Sequence, residues 1–443
     1  MYRRGGDILR NYCVWVWIYG GVLSMNLWAS ALDLSVINQY VKFGLNSDAG
    51  LKQKKVSILQ AEKIVKEKSA LYFPLISFEG RYSIADGGRE IAIPEISQVF
   101  NLLRKKEQTA SVRIMQPLFY AKNHNELELA KLNFEKSRVL YRQYYQDQVT
   151  KIKKGYIQYL SAYYLKKEYK DYLELTRKSM EEGKRKYQSG DFLDEKVNEI
   201  EIKCLEIEKQ YLYAVNAYDK ALLFFLNLLS LSSSHSVLLL DQKMLEDKVL
   251  KKKVVDTNIK LEKISKVYVY EILGKINLAK RKKIDSFYRP SISALIDLGV
   301  ESESLVFNSD SMYWIGAVVF RWNLYDGNRK VVKKEKEVLE AKKLELKRES
   351  QVKAVIYKQQ QLDAEIKLLI SVIDINRRLL NSKEIFVDDL KRKVQLGGVE
   401  RLQVLQGKAE LVRLKINAIR DFFSYCQVVL DLENLLEKDV QEK

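Results

Sequence analysis

Apolar residues recur every three or four positions along most of the chain, which predicts long amphipathic helices with apolar seams. In the first half the seams consist of Tyr145, Val149, Ile152, Tyr156, Tyr159 and Tyr163, and of Val197, Ile200, Cys204, Ile207, Tyr211, Ala214, Tyr218, Ala221, Phe225 and Leu228. The second half has matching seams of Leu362, Ile366, Leu369, Ile373, Asn376 and Leu380, and of Leu402, Leu405, Ala409, Val412, Ile416, Ile419, Phe423, Cys426 and Leu430. Flanking stripes such as Ile157, Leu160 and Tyr164 indicate two helical neighbours for each helix, as in a closed cylinder.

A few short segments alternate apolar and polar residues instead, which predicts β-strands with two different faces. In "FPLISFEGRYS" (73–83), Ile76, Phe78 and Tyr82 alternate with serines and charged residues. The predicted strands are residues 73–84, 109–119, 289–301 and 312–323. The four prolines all lie near such segments, so proline interrupts none of the helical stretches.

The chain contains two copies of one plan at a spacing of about 210 residues. "ASVRIMQPLFYAKN" (110–123) corresponds to "GAVVFRWNLYDGNR" (316–329), and "KYQSGDF" (186–192) corresponds to "KVQLGGV" (393–399). Each half is predicted to run helix, strand, hairpin loop, strand, very long helix, glycine-containing turn, helix. A long helix of roughly 70 residues extends about 100 Å, which exceeds the needs of a single globular domain.

These patterns divide the chain into five segments. The segments are a secretory signal (1–31), a first repeat (32–231), a linker (232–254), a second repeat (255–437) and a tail (438–443). In the first repeat the long helix covers 120–187, the turn 188–192 and the last helix 193–230. In the second repeat the corresponding ranges are 325–394, 395–399 and 400–437. We call the two turns the tip turns.

The N-terminus has the layout of a cleaved secretory signal. A positively charged start, "MYRRGGDILRNY", precedes the apolar run "CVWVWIYGGVLSMNLW" and the small residues of "ASA", so the mature chain is expected to begin near Leu32. The apolar run is slightly long, so an uncleaved anchor is the alternative. Cys13 would leave with the signal, and Cys204 and Cys426 lie in helix seams, where their predicted role is packing.

Charge and motif content favour neither a nucleic-acid partner nor an enzyme. The net charge is +18, but Lys and Glu interleave along the helices, as on an ordinary solvated surface. No nucleic-acid-binding pattern stands out. The two histidines, His124 and His235, are not spaced as metal ligands, and no Walker, GxGxxG or GxSxG pattern stands out. We therefore predict no catalytic, cofactor or metal site.

The strands have the length and alternation of an outer-membrane β-barrel, in which tilted strands of about ten residues cover an apolar band of about 25 Å. The predicted lipid-facing residues are Ile76, Phe78, Tyr82, Val112, Ile114, Ile292, Ile296 and Leu298. Four strands cannot close a barrel and open edges are not tolerated in lipid, so three copies are expected to form a twelve-stranded barrel. The alternative is a pair of soluble hairpins that cap a helical bundle.

The duplicated order of strands, long helices and glycine turns resembles the TolC family of outer-membrane efflux proteins. The strand-to-helix junctions "MQPLFYAKN" and "RWNLYDGNR" and the turns "YQSG" and "VQLG" are similar too, over nearly the whole mature chain. The resemblance implies a mainly α-helical protomer with a small membrane β-barrel contribution. It further implies a homotrimer with an α-helical tube in the periplasm, a periplasmic membrane-fusion adaptor, and an inner-membrane efflux pump or ABC exporter.

By this resemblance the tip turns lie at the periplasmic mouth and contact the adaptor. The residues expected there are Gly190, Asp191, Phe192, Gly397, Gly398 and Val399, and the candidate gate residues are Gln403, Gln406, Glu400, Asp194 and Glu195. Gln403 and Gln406 occupy positions at which acidic-gated family members have carboxylates, and Val394 and Val399 replace the family's tyrosine and arginine links. We therefore expect a mouth of amide and mixed-charge side chains, less cation-selective than an acidic ring.

Two functions follow as alternatives. The first is a trimeric outer-membrane exit duct for drugs or polypeptides, in an efflux or type I secretion system. The second is a periplasmic coiled-coil adaptor or scaffold that binds partners without forming a pore. An adaptor typically has one helical hairpin framed by β-rich domains, whereas this sequence predicts two hairpins and two strand pairs.

Overall fold

The computed structural model describes residues 33–84, 90–92, 99–101, 106–232, 235–242, 245–246, 261–303, 311–398 and 400–437. The predicted signal (1–31), the tail (438–443), Val399 and part of the predicted linker lie outside these ranges.

Long helices make up most of the described chain. They are α1 (Asp33–Ser47), α2 (Ala49–Ala70), α3 (Ala121–Gln188), α4 (Asp194–Leu228), α5 (Ser265–Asp285), α6 (Arg329–Gln395) and α7 (Arg401–Leu435). The duplication is visible in their lengths, since α3 and α6 have 68 and 67 residues and α4 and α7 have 35 each. The strands are β1 (Leu75–Ile84), β2 (Glu90–Ala92), β3 (Val99–Asn101), β4 (Lys106–Tyr120), β5 (Ser291–Ser302) and β6 (Met312–Arg321).

Four of the strands form one antiparallel sheet in the order β1-β4-β5-β6, and β2 pairs with β3 separately. The β4–β5 pairing joins the strand pairs of the two repeats, so the hairpins form one sheet rather than two. The register of β4 shifts between Pro117 and Phe119. Proline has no backbone N–H for the ladder, which explains a bulge at this point.

The element bounds differ from the predicted ones at several strand and helix ends. The helix α6 begins at Arg329 rather than at 325, because Gly327 and Asn328 have φ of +68° and +63°. A left-handed backbone does not belong to a right-handed helix, so the helix cannot extend through these residues. The short strands β2 and β3 lie in the predicted hairpin loop, where the sequence pattern predicted no strand.

The chain divides into two compact units, and each unit uses residues from both repeats. We call the described residues within 53–141 and 265–352 the sheet unit, and those within 1–52, 142–264 and 353–443 the helical unit. The fold therefore interleaves the repeats, whereas the sequence segments follow one another along the chain.

The core of the helical unit combines residues of the predicted seams with Tyr169 and Tyr172, which lie beyond the end of the predicted α3 seam. Tyr169 and Tyr172 of α3 pack with Ala214 of α4 and with Ala409, Val412 and Ile416 of α7 in one cluster. Tyr156 and Phe225 are fully buried, with ring centroids 5.4 Å apart. The flanking stripe is buried as well at Ile157 and Leu160, so α3 has apolar contacts on more than one side.

The sheet unit has a smaller helical core beside its strands. Val139 of α3 packs against Ile272 and Ile276 of α5. The amide of Asn277 donates hydrogen bonds to the backbone oxygen of Glu337 at 3.0 Å and to its carboxylate at 2.9 Å, which ties α5 to α6.

Candidate functional site

One face of the four-stranded sheet is apolar, and the strand register shows which residues share it. Ile76 pairs with Ile114, and Ile114 pairs with Ile296 on the next strand. Phe78, Val112, Leu298 and Trp314 form the neighbouring row. All eight residues predicted to face lipid lie on this face. Most of these side chains are exposed, with Phe78 at 74% and Trp314 at 76%, so the chain leaves a large apolar surface uncovered.

The opposite face of the sheet is largely polar and holds an ion-pair network across three strands. Arg113 of β4 donates to Asp297 of β5 from Nε at 3.1 Å and from Nη2 at 2.7 Å. Its third nitrogen, Nη1, lies 2.9 Å from the carboxylate of Glu79 on β1. Asp297 is 5% exposed, so its charge depends on this guanidinium for compensation. We call these three residues the Arg113 cluster.

The two tip turns have the same backbone structure. Gly190 has φ of +83° and Gly397 has φ of +76°, a region that glycine adopts with little strain. In the first turn, Gly190 N donates to Tyr187 O and Asp191 N donates to Lys186 O. In the second turn, Gly397 and Gly398 make the corresponding bonds to the oxygens of Val394 and Lys393. This is the Schellman pattern, which satisfies the last carbonyls of a helix and reverses the chain.

Lys186 connects the two tip turns, and the sequence patterns did not single it out. Its ammonium lies 2.5 Å from the carboxylate of Glu400, the N-cap residue of α7, and 5.3 Å from the ring centroid of Phe192. Lys186 is one of four basic residues in the last turns of the two long helices, with Arg185, Arg392 and Lys393. The sequence therefore has no signal for this contact, which brings together helix ends more than 200 residues apart.

The other predicted gate residues lie on exposed positions near these turns. Gln403 and Gln406 are three residues apart on the exposed side of α7, whereas Val404 and Leu405 between them are buried. Asp194 and Glu195 are exposed in the first turn of α4, where acidic residues favour the positive helix end. A hydrogen bond to Asp194 raises the pKa of Tyr187 at the end of α3.

Both cysteines of the described chain are unpaired and buried in helix seams. Burial raises the pKa of the Cys426 thiol to about 12, and the charge of Glu246 adds to the shift. Burial likewise raises the pKa of Tyr156 and of Tyr159.

His124 and His235 are exposed. In the part of the chain that the structure covers, no group of three His, Cys, Asp or Glu is placed to hold a metal ion.

None of the described helices combines the length and apolar character that a membrane-crossing helix needs. No protein-family model matches the chain, and no curated protein matches it.

Solved structures of outer-membrane channels match the chain over nearly its full length. CusC, crystallised in work on folding and transmembrane channel formation, is 14% identical with a TM-score of 0.76, over 91% of this chain and 92% of its own. The CmeC outer-membrane channel of Campylobacter jejuni is 13% identical with a TM-score of 0.75, over 92% and 89%. The open-state MtrE outer-membrane channel of Neisseria gonorrhoeae is 12% identical with a TM-score of 0.70, over 90% and 88%.

At these identities the likeness establishes the fold. The protomer fold predicted from the duplicated strands, helices and glycine turns is thereby confirmed, and this chain has the fold of the TolC-family outer-membrane channels.

Proposed function

We propose that three copies of the chain form an outer-membrane channel, the exit duct of a tripartite efflux or type I secretion system. One observation supports this most directly. The sheet has one exposed apolar face, one polar face and two open edges, on the fold of known outer-membrane channels. Lipid outside and water inside are the surroundings that such a sheet requires.

The sheet edges suit assembly into a closed ring. β1 and β6 are the edge strands, and the alternating directions of four antiparallel strands make them antiparallel to each other. The β6 edge of one copy can therefore pair with the β1 edge of the next copy. Three copies supply twelve strands, and closure leaves no unpaired edge in lipid.

The helices of the three copies would then form a periplasmic tube that ends at the tip turns. We assign the contact with a periplasmic adaptor to these turns, including Gly190, Asp191, Phe192, Gly397, Gly398 and Val399. An inner-membrane pump or ABC exporter would supply energy and select drugs or polypeptides as cargo. The duct itself performs no chemistry.

The periplasmic mouth is proposed to be lined by amide and mixed-charge side chains. Gln403 and Gln406 are exposed on one side of α7, and Glu400 already pairs with Lys186. An amide ring binds multivalent cations more weakly than a ring of carboxylates, since it has no net charge to attract them. Single-channel currents are therefore expected to persist with divalent or trivalent cations on the periplasmic side. Strong block at that side contradicts this mouth.

The assembly is tested with purified protein in mild detergent. Light scattering is expected to give the mass of three mature chains, each somewhat lighter than the 51.8 kDa of the full sequence, and planar bilayers are expected to show discrete conductance steps. A monomer that is electrically silent overturns the proposal.

The adaptor alternative is tested by membrane fractionation. An adaptor would wash off or follow the inner membrane, whereas a channel floats with the outer membrane.

A further inference from the structure

The polar face of the sheet is slightly acidic, although the chain has a net charge of +18. Strand register places seven charged side chains on this face, four acidic and three basic: Glu79, Arg81, Glu107, Arg113, Asp297, Glu301 and Arg321. In the proposed barrel this face lines the lumen. The charge of this face therefore differs in sign from the charge of the whole protein.

The Arg113 cluster has one negative charge more than it can neutralise. The guanidinium of Arg113 forms ion pairs with the carboxylates of both Asp297 and Glu79, and both carboxylates lie within 2.9 Å of its nitrogens. The Asp297 side chain is 7% exposed, whereas the Glu79 side chain is 63% exposed. The uncompensated charge therefore reaches solvent at Glu79, near the middle of β1.

The nearest charged pair on the same face is balanced. Arg81 lies 3.6 Å from the carboxylate of Glu107, and the side chain of Arg81 is 68% exposed. Removal of the charge of Arg81 would leave the carboxylate of Glu107 uncompensated on the polar face, and removal of the charge of Glu107 would leave Arg81 uncompensated there. Glu79 and Arg81 are thus two exposed groups of opposite charge on one strand, two residues apart and on the same face.

We propose that Glu79 gives the duct a preference for cations over anions, and that Arg81 moderates it. The inference rests on the proposed trimer, in which three Glu79 carboxylates form a ring in the lumen wall. Solutes that carry positive charge pass such a ring more easily than anions do, because the local potential is negative. The proposed mouth has amide and mixed-charge side chains, so this ring adds a negative charge that the exposed glutamines of the mouth do not supply.

Reversal potentials across planar bilayers in a KCl gradient test the inference. Glu79→Gln leaves the cluster neutral, and is expected to lower the cation-to-anion permeability ratio by about twofold at about 0.1 M salt. Arg81→Gln is expected to raise the ratio. Glu62→Gln is the control, because Glu62 lies on α2 outside the strands and pairs with Lys66. All shifts should shrink at 1 M salt, where the Debye length is only about 3 Å.

A cysteine at the same position gives an independent measurement. Glu79→Cys treated with a cationic thiol reagent should shift the reversal potential toward anions, and an anionic reagent should shift it toward cations. Cys204 and Cys426 are buried and should not react in the folded protein.

The two proposals fail in different ways. A conducting trimer whose reversal potential is the same in the wild type, Glu79→Gln and Arg81→Gln overturns this inference and leaves the channel proposal intact. A protein that does not conduct overturns the channel proposal, and this inference with it.

Discussion

Gly190 and Gly397 have open space where a side chain would project, so only their backbone conformation requires glycine. The sequence allowed this feature to be predicted, because a glycine that ends a helix is a local signal. The Lys186–Glu400 pair could not be predicted in this way. Its two residues are distant in sequence, and each resembles many other charged residues of the chain.

Alanine at either tip glycine is expected to lower the free energy of unfolding by about 1 kcal/mol, because a left-handed backbone strains an L-residue. Gly274→Ala is the matched control. Gly274 lies inside α5 with open space around it, so alanine there is expected to stabilise the protein by about 0.5–1 kcal/mol. Denaturant unfolding followed by circular dichroism measures both. Equal effects at the three positions contradict the assigned backbone roles.

Alkaline pH is expected to destabilise the helical unit. The buried Tyr156, Tyr159 and Cys426 have a raised pKa in the folded protein, so they stay protonated where the unfolded chain ionises. Unfolded cysteine and tyrosine ionise near pH 8.5 and 10, so their contribution is complete below these values and is lost as pH rises from about 9. Each group contributes a slope of up to about 1.4 kcal/mol per pH unit.

Thermal unfolding between pH 7 and 11 measures this dependence. Tyr159→Phe should make the alkaline loss of stability shallower, because one ionising group is removed. Tyr213→Phe serves as the control, since Tyr213 is 60% exposed. The explanation fails if the two variants follow the same pH profile.

At the scale of elements, the long helices and the four main strands could be predicted because their patterns repeat over many residues. The strands β2 and β3 have three residues each, which is too short for alternation to be distinguished. The start of α6 was misplaced for a different reason. Asn328 takes a left-handed conformation, which a sequence pattern indicates only weakly for residues other than glycine.

The Arg113–Asp297 pair links the strands of the two repeats, and its loss should weaken the β4–β5 pairing. Arg113→Met is expected to cost about 2 kcal/mol, because it removes the guanidinium that donates to the buried Asp297 and compensates its charge. Arg81→Met should cost less than about 0.5 kcal/mol, since that pair is longer and more exposed. Equilibrium unfolding in detergent compares the two. An Arg113→Met variant as stable as Arg81→Met would falsify the structural role of the pair.

At the scale of the whole molecule, the two faces of one strand predict opposite tolerance of charge. Val318 lies on the apolar face of β6 and is 71% exposed, and Ala317 lies beside it on the polar face. Val318→Lys is expected to cost about 2–4 kcal/mol in lipid near the bilayer midplane, whereas Ala317→Lys should be tolerated. The fraction of protein that floats with lipid vesicles measures the difference. Equal flotation of the two variants contradicts the assignment of the faces.

The similarity to solved outer-membrane channels and the duplicated sequence pattern indicate the same fold. The division into a sheet unit and a helical unit, however, was not apparent from the sequence. Segment boundaries follow chain order, whereas contacts depend on how the repeats pair in space. The sheet unit needs strands from both repeats, because β4 and β5 are neighbours.

That pairing has an evolutionary consequence. A half-length ancestor, before the gene was doubled, would have brought only two strands to each subunit. To close the same twelve-stranded ring it would have needed six identical subunits. In such an ancestor the contact between β4 and β5, which now includes the pair Arg113 and Asp297, would have been a contact between subunits.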